Sequence, residues 1–177
     1  MDTALETQQS KVKMGIVVGV LAWTEILATS WFLTGARVTD LPLADRLGLA
    51  ARCAVFPALT LMAGVLAVAN GRYRSAAIDP LTCEATPAMR VDQRYLQNTL
   101  EQLVLHVVAL FAVAADGSPL GMRLLPGLAA CFVVGRAAFW LLYRRDPMKR
   151  GPGFSMTMQP TAVALVFVAV RTLLVRA

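Results

Sequence analysis

The chain has 177 residues, of which 57% are hydrophobic and only 16% are charged. Soluble domains hold about 45–50% apolar and about 25% charged residues, so this composition excludes an ordinary soluble domain and a disordered chain. The net charge of +6 points to membrane topology rather than to a nucleic-acid partner, because the apolar residues are grouped in long blocks.

Five apolar segments are long enough to cross a bilayer as helices, which takes about 20 mostly apolar residues. We therefore predict an all-α, polytopic membrane helix bundle. The first segment is longer than the apolar region of a signal peptide, about 7–15 residues. We expect it to be retained as a span that follows a cytoplasmic tail over residues 1–13. In chain order the predicted spans are residues 14–36, 47–69, 95–115, 120–143 and 154–175.

The connections between the spans differ in length. Residues 116–119, Asp-Gly-Ser-Pro, give a tight turn signal, which predicts an antiparallel hairpin of the third and fourth spans. Residues 72–89 form the long connection, and their prolines and few large apolar side chains predict a loop.

Basic residues are distributed unevenly between the two sides of the membrane. With five spans, residues 1–13, 71–94 and 144–153 share one side and hold ten Lys or Arg, against three on the other side. Positively charged loops stay in the cytoplasm, so we expect the N-terminus and both basic loops to be cytoplasmic. We expect the membrane to be the inner membrane of a bacterium.

Metal and disulfide chemistry find little support in the sequence. The three cysteines, Cys53, Cys83 and Cys131, are scattered and form no CxxC pair, which indicates neither a disulfide framework nor a zinc site. His106 is the single histidine. A lone histidine in a span is typical of a packed, hydrogen-bonded residue, so we expect no metal.

A polar cluster begins the third span. Arg94, Asn98 and Glu101 lie at i, i+4 and i+7, which places them on one helix face. Arg90 continues this stripe if the helix starts early. Arginine binds carboxylates in a bidentate fork, while a carboxylate binds ammonium groups and an amide binds peptide groups. The face can therefore hold a zwitterionic ligand, and the alternative is a structural network that ties helices together.

A second polar cluster follows the fourth span. Arg136 and Tyr143 lie at i and i+7, a helix break follows at Asp146 and Pro147, and Arg150 comes just before the fifth span. An interfacial tyrosine and positive-inside arginines would account for these residue types. They do not account for two polar clusters on the same predicted side of the membrane.

These two clusters, in this order, resemble the MAPEG family of membrane-associated proteins in eicosanoid and glutathione metabolism. The resemblance covers about residues 47–177. It implies a four-helix core, here preceded by one extra transmembrane helix over residues 14–36, and a homotrimer that binds glutathione between subunits near the cytoplasmic face. The residues that carry the resemblance are Arg94, Asn98, Glu101, Arg136, Tyr143, Pro147 and Arg150.

The resemblance also implies roles for single residues. Arg94, Asn98, Glu101 and Arg136, with Arg90 beside them, would bind glutathione as cosubstrate. The catalytic residues would be Arg150, which stabilises the glutathione thiolate, and Tyr143. The chain would then be a glutathione transferase or peroxidase, acting on lipophilic electrophiles or hydroperoxides that dissolve in membrane lipid.

Two departures from the family pattern keep other functions open. Phe139 stands where many members have tyrosine, and Gln102 follows Glu101 where some have tyrosine. The loss of phenols weakens catalysis more than binding, so the alternative is an accessory protein that binds lipid or glutathione without turnover. A small proton-coupled transporter that uses Glu25 is a third hypothesis. Within its span, Glu25 is expected to pair with Arg52 or Arg136.

Overall fold

The computed structural model describes residues 2–79 and 83–175, and over these residues it is a bundle of five long helices without strands. Each helix is long and apolar enough to cross a membrane. The predicted all-α membrane bundle is thus confirmed. The helices are α1 Asp2–Thr34, α2 Leu43–Tyr73, α3 Pro87–Asp116, α4 Pro119–Arg145 and α5 Gly151–Val175.

Three helices begin earlier than hydropathy predicts. Helix α1 begins at Asp2, so the expected tail is helical from residue 2 onwards, and α2 begins directly after Pro42. Helix α3 begins at Pro87 rather than near residue 95, because the Thr86 hydroxyl caps it by accepting a hydrogen bond from the amide of Met89 (3.3 Å). The expected loop over residues 72–89 is therefore shorter and includes a 3₁₀ turn at Ala76–Ile78.

The turn between α3 and α4 follows the prediction. Gly117 ends α3 with φ of 67°, a left-handed conformation that favours glycine. The Ser118 hydroxyl then caps α4 by accepting from the amide of Gly121 (3.2 Å). This tight turn makes α3 and α4 antiparallel neighbours.

Helices α3 and α5 run side by side in the same direction. Three polar pairs connect them, and the partners in each pair are 55 residues apart in the chain. Constant spacing means that the two helices keep the same register along their length. The pairs are Gln102 with Thr157, His106 with Thr161, and Asp116 with Arg171.

The additional helix α1 packs against α4 and α5. Gly19 allows this close approach, because a Cβ there would collide with α5. The Trp23 indole donates to the side chain of Gln159 on α5 (3.1 Å). The Ser30 hydroxyl accepts from the amide of Gly127 on α4 (3.0 Å). Polar and small-residue contacts thus hold α1 against α4 and α5 of the same chain.

Glu25 does not form the ion pair expected from the sequence. In the described part of the chain, the ion pairs are Asp92 with Arg144 and Asp116 with Arg171. Glu25 is exposed and borders a mostly apolar groove between α1 and α4. It therefore pairs with neither of the two expected arginines in this structure.

Candidate functional site

A cleft of about 330 Å³ lies at one end of the bundle, where α3 begins, α4 ends and α5 begins. Five of the seven residues predicted for the site line it, although they come from separate parts of the chain. The lining residues are Arg94, Gln97, Asn98, Glu101, Phe139, Tyr143, Arg150 and Phe154.

Helix α3 supplies one wall of the cleft, with charged groups outside and an amide further in. Arg94 and Glu101 are exposed, whereas Asn98 between them is half-buried. Glu101 accepts a hydrogen bond from the Gln97 amide (2.8 Å), which restrains the carboxylate toward this wall. A cation, an amide and an anion thus follow one another along a single helix face.

Arg136 lies behind this wall rather than in the cleft. It is completely buried, and its Nη1 donates to Asn98 Oδ1 (2.8 Å). Since arginine only donates hydrogen bonds, the Asn98 atom that it contacts is the carbonyl oxygen. The Asn98 amide NH₂ is therefore the part of this side chain that remains for a ligand, and it can only donate.

A polar network extends from Arg136 into the bundle. Its Nη2 donates to Thr157 Oγ1 on α5 (2.8 Å), and the Thr157 hydroxyl in turn bonds to the carbonyl oxygen of Gln102. The guanidinium also lies 4.7 Å from the centre of the Phe139 ring. The hydrogen-bond partners that the described residues give to Arg136 are neutral, so its positive charge is not compensated within them.

The opposite wall holds Tyr143 and Arg150. The Asp146 carboxylate caps the 3₁₀ turn Pro147–Arg150 by accepting from the amide of Met148 (2.9 Å), and this turn brings Arg150 back toward the end of α4. The Arg150 guanidinium lies 5.7 Å from the centre of the Tyr143 ring. A positive charge and a phenol thus stand together in the cleft wall.

Arg90 lies outside the cleft. It is on α3, as an early start of the helix requires, but its Nη1 donates to the carbonyl of Ala85 (2.9 Å) and its side chain is exposed. Arg90 is one helical turn, about 6 Å, closer to the start of α3 than Arg94. Its side chain is therefore bonded at the helix start and does not reach the residues that line the cleft.

A clamp that sequence reasoning missed joins α3 to α4 near the cleft. The buried carboxylate of Asp92 accepts from Arg144 (2.8 Å) and from the Trp140 indole (2.8 Å). The Trp140 ring also stacks on Tyr95, with ring centres 4.5 Å apart. Asp92 and Arg144 each looked like an ordinary charge at the end of a span, so no signal in the sequence paired them.

His106 lies two turns deeper than Asn98, away from the cleft. Its Nδ1 is 2.8 Å from Thr161 Oγ1, and its ring packs against Phe132. No group of three metal-binding side chains occurs within residues 2–79 and 83–175. His106 therefore has the surroundings of a packed, hydrogen-bonded residue.

Two curated proteins are similar to part of this chain. Transmembrane protein 79 from Bos taurus is 23% identical over 125 residues, which are 71% of this chain and 31% of that protein. The Mus musculus protein of the same name is 23% identical over 71% of this chain and 32% of its own length. The chain thus spans about a third of the length of the curated relatives that it matches. No solved structure matches the chain significantly.

A match to a protein-family model identifies the family of the chain. The MAPEG family model matches residues 49–170, more than half of the chain. That segment includes all of α3 and α4 and every residue that lines the cleft, and it leaves out α1. A bacterial inner membrane stays a prediction, since both relatives are mammalian. The chain is a multi-pass membrane protein that belongs to the MAPEG family.

Proposed function

We propose that the cleft binds glutathione and that the protein uses the bound thiolate to conjugate or reduce lipophilic compounds. The observation that carries this proposal is the placement of Arg94, Asn98, Glu101, Tyr143 and Arg150 around one cavity. Family membership supports it, because the resemblance to glutathione-using members rests on the same residues.

The charges in the cleft complement those of glutathione. The tripeptide has two carboxylates, one ammonium, two peptide groups and a thiol. Arg94 can bind a carboxylate in a fork, and Glu101 can bind the ammonium. Asn98, with its carbonyl oxygen held by Arg136, offers its NH₂ to a peptide carbonyl. Arg94, Asn98 and Glu101 thus each have a partner of matching chemistry on the ligand.

Arg150 is the group proposed to activate sulfur. A free thiol has a pKa of about 8.5 and is mostly protonated at neutral pH, whereas the thiolate is the nucleophile. A guanidinium close to the sulfur favours the charged form and lowers such a pKa by about 1–3. Tyr143, beside Arg150, can donate a hydrogen bond to the same sulfur. The buried charge of Arg136 adds positive potential from behind the wall.

The reaction follows from the thiolate. In conjugation, the sulfur lone pair forms a carbon–sulfur bond, and the electrophilic carbon releases a leaving anion or its double-bond electrons take up a proton. In peroxide reduction, the sulfur bonds to a peroxide oxygen and the oxygen–oxygen bond breaks, which gives an alcohol and glutathione sulfenic acid. The thiol of a second glutathione then attacks the sulfenic sulfur, forms the disulfide and releases the oxygen as water. Both reactions suit substrates that arrive from the bilayer.

We further propose that three copies assemble into a homotrimer, in which a neighbouring subunit closes the cleft. In the single chain, Arg94, Glu101 and Arg150 are all exposed, so a ligand held by them alone would stay largely hydrated. Contact with a neighbour would exclude water, and charge interactions are stronger in a drier site.

A second candidate function is binding without turnover. Phe139, at the position where many members have tyrosine, packs against Tyr143 with ring centres 5.4 Å apart and lies below Arg136. A phenyl ring there cannot donate a hydrogen bond to sulfur or to substrate. Tyr143 is thus the one phenol among the lining residues.

Calorimetry and ultraviolet absorbance on the purified protein in nanodiscs separate the two functions. Saturable glutathione binding, with thiolate absorbance at neutral pH, supports the enzyme. Binding without thiolate supports the accessory role. If glutathione does not bind at all, the enzyme and the glutathione-binding accessory role both fail.

A further inference from the structure

A second cavity, of about 280 Å³, adjoins the cleft on the side of the additional helix α1. Arg150 and Phe154 line both cavities, so the two spaces meet at these side chains. We call the second cavity the α1 groove. Its lining residues are Val12, Ile16, Pro147, Met148, Arg150, Gly151 and Phe154.

The α1 groove differs from the cleft in chemistry. Apart from Arg150 its lining side chains are apolar, and Val12, Ile16 and Phe154 are 38%, 40% and 42% exposed. A concave site lined mainly by apolar side chains, with a polar group at one point, is typical of ligand sites. The groove thus offers hydrocarbon contacts directly beside the guanidinium that borders the polar cleft.

The wall of the groove that α1 forms packs directly against the start of α5. Gly15 lies against the start of α5, where a Cβ would come within 3.0 Å of the Pro152 ring. Val12 and Ile16 are the α1 residues on either side of this contact that line the groove. They precede the segment that matches the family model, so this wall is an addition to the four-helix core.

We propose that the α1 groove binds the hydrocarbon chain of the lipophilic substrate, with its reacting carbon or peroxide oxygen held at Arg150 beside the glutathione sulfur. This inference rests on the proposed function. Ligand sites usually enclose about 300–1,000 Å³, and neither cavity alone would hold both reactants. Joined at Arg150, the polar cavity accommodates the tripeptide and the apolar one accommodates an alkyl chain.

S-Methylglutathione and S-nonylglutathione test this placement without requiring turnover. They share the tripeptide and differ only in the alkyl chain on sulfur. The wild-type protein should bind the nonyl compound at least tenfold more tightly. Ile16→Trp fills the groove and should remove most of that gain. The variant's affinity for S-nonylglutathione should fall about tenfold, which corresponds to two methylene groups of the nonyl chain that lose their contacts. Its affinity for S-methylglutathione should stay within twofold.

Val17→Trp is the matched control, because Val17 is the next residue of α1, is 53% exposed and does not line the groove. It should keep the full gain for the nonyl compound. Comparing variants in identical nanodiscs cancels the partitioning of the nonyl chain into lipid. Val12→Trp, one turn earlier, replaces Ile16→Trp if the latter does not assemble.

The outcomes separate this inference from the proposed function. If the wild-type protein binds neither glutathione nor S-methylglutathione, the proposed function fails and the groove assignment fails with it. If both bind, but Ile16→Trp and Val12→Trp leave the nonyl gain intact, only the groove assignment is overturned. A phospholipid that copurifies with the wild type and is lost in Ile16→Trp, without a nonyl gain, would assign the groove to bilayer lipid instead.

Discussion

Replacing Arg136 with methionine should weaken glutathione binding, although Arg136 lies outside the cleft. The guanidinium holds the carbonyl oxygen of Asn98 at 2.8 Å and Thr157 Oγ1 at 2.8 Å. Thr157 keeps other partners, among them the carbonyl of Gly153 (3.2 Å), whereas Asn98 loses the hydrogen bond that orients its side chain. The effect should therefore fall on Asn98 and on the peptide group that it would bind.

The magnitude follows from these contacts. A hydrogen bond that involves a charged group contributes about 1.5–3 kcal/mol, and its loss lets the Asn98 amide rotate. We expect the free energy of glutathione binding to weaken by about 1–2 kcal/mol, which is roughly a five- to thirtyfold higher Kd. The free energy of unfolding should change by no more than about 2 kcal/mol, because methionine also removes a buried charge that has neutral partners.

Calorimetric titration of glutathione, paired with thermal unfolding, measures both quantities. Arg136→Lys should lie between the wild type and Arg136→Met, since it keeps the charge and loses the fork. Arg144→Met is the control, because Arg144 pairs with Asp92 at the same end of the bundle and does not line the cleft. If Arg136→Met binds glutathione with unchanged affinity, the positioning of Asn98 by Arg136 is refuted.

Three further predictions concern the carboxylate, the topology and the assembly. Glu101→Gln should weaken the free energy of glutathione binding by about 1–3 kcal/mol if the carboxylate holds the ammonium, and unchanged affinity by calorimetry would leave Glu101 as part of a structural network. Cys83 is the cysteine expected to react with impermeant thiol reagents, since Cys53 and Cys131 are buried. It should be labelled from the cytoplasmic side, where the excess of basic residues places its loop; labelling from outside intact cells would reverse the topology. Native mass spectrometry in mild detergent should give a homotrimer, and a monomer or dimer would count against the assembly that closes the cleft.

The ends of helices were predictable where backbone chemistry terminates them. Pro119 and the pair Asp146 and Pro147 bound α4 close to its predicted ends, because proline starts a helix well and cannot continue one. The start of α3 was missed by eight residues, since its first turns are polar and hydropathy does not register them. The Thr86 cap stabilises those turns instead.

The part of the site that depends on helix periodicity was predictable. The shared face of Arg94, Asn98 and Glu101 follows from spacing alone, and their meeting with Arg150 follows from both clusters lying on one predicted side. The hydrogen-bond partners of Arg136 could not be predicted, because they depend on how α3, α4 and α5 pack around one side chain.

The packing of α1 has a signal in the sequence. Gly15 and Gly19 form a GxxxG spacing within an apolar helix, which favours close helix packing. That spacing predicts a tightly packed face, but it does not name the partner. Only the structure shows that this face packs on the start of α5 and so brings Val12 and Ile16 beside the cleft.

The pH dependence of the thiolate absorbance of bound glutathione, in the wild type and in Arg150→Ala, tests the central claim most directly. If Arg150 stabilises the thiolate, the wild-type signal should persist at neutral pH, below the pKa of about 8.5 of a free thiol. Arg150→Ala should move the midpoint back toward that value while glutathione still binds through Arg94 and Glu101. Tyr143→Phe should move it less, because a neutral hydrogen bond stabilises an anion less than a nearby full charge. An unchanged midpoint in Arg150→Ala, with a large shift in Tyr143→Phe, would contradict the account and place the sulfur at the tyrosine.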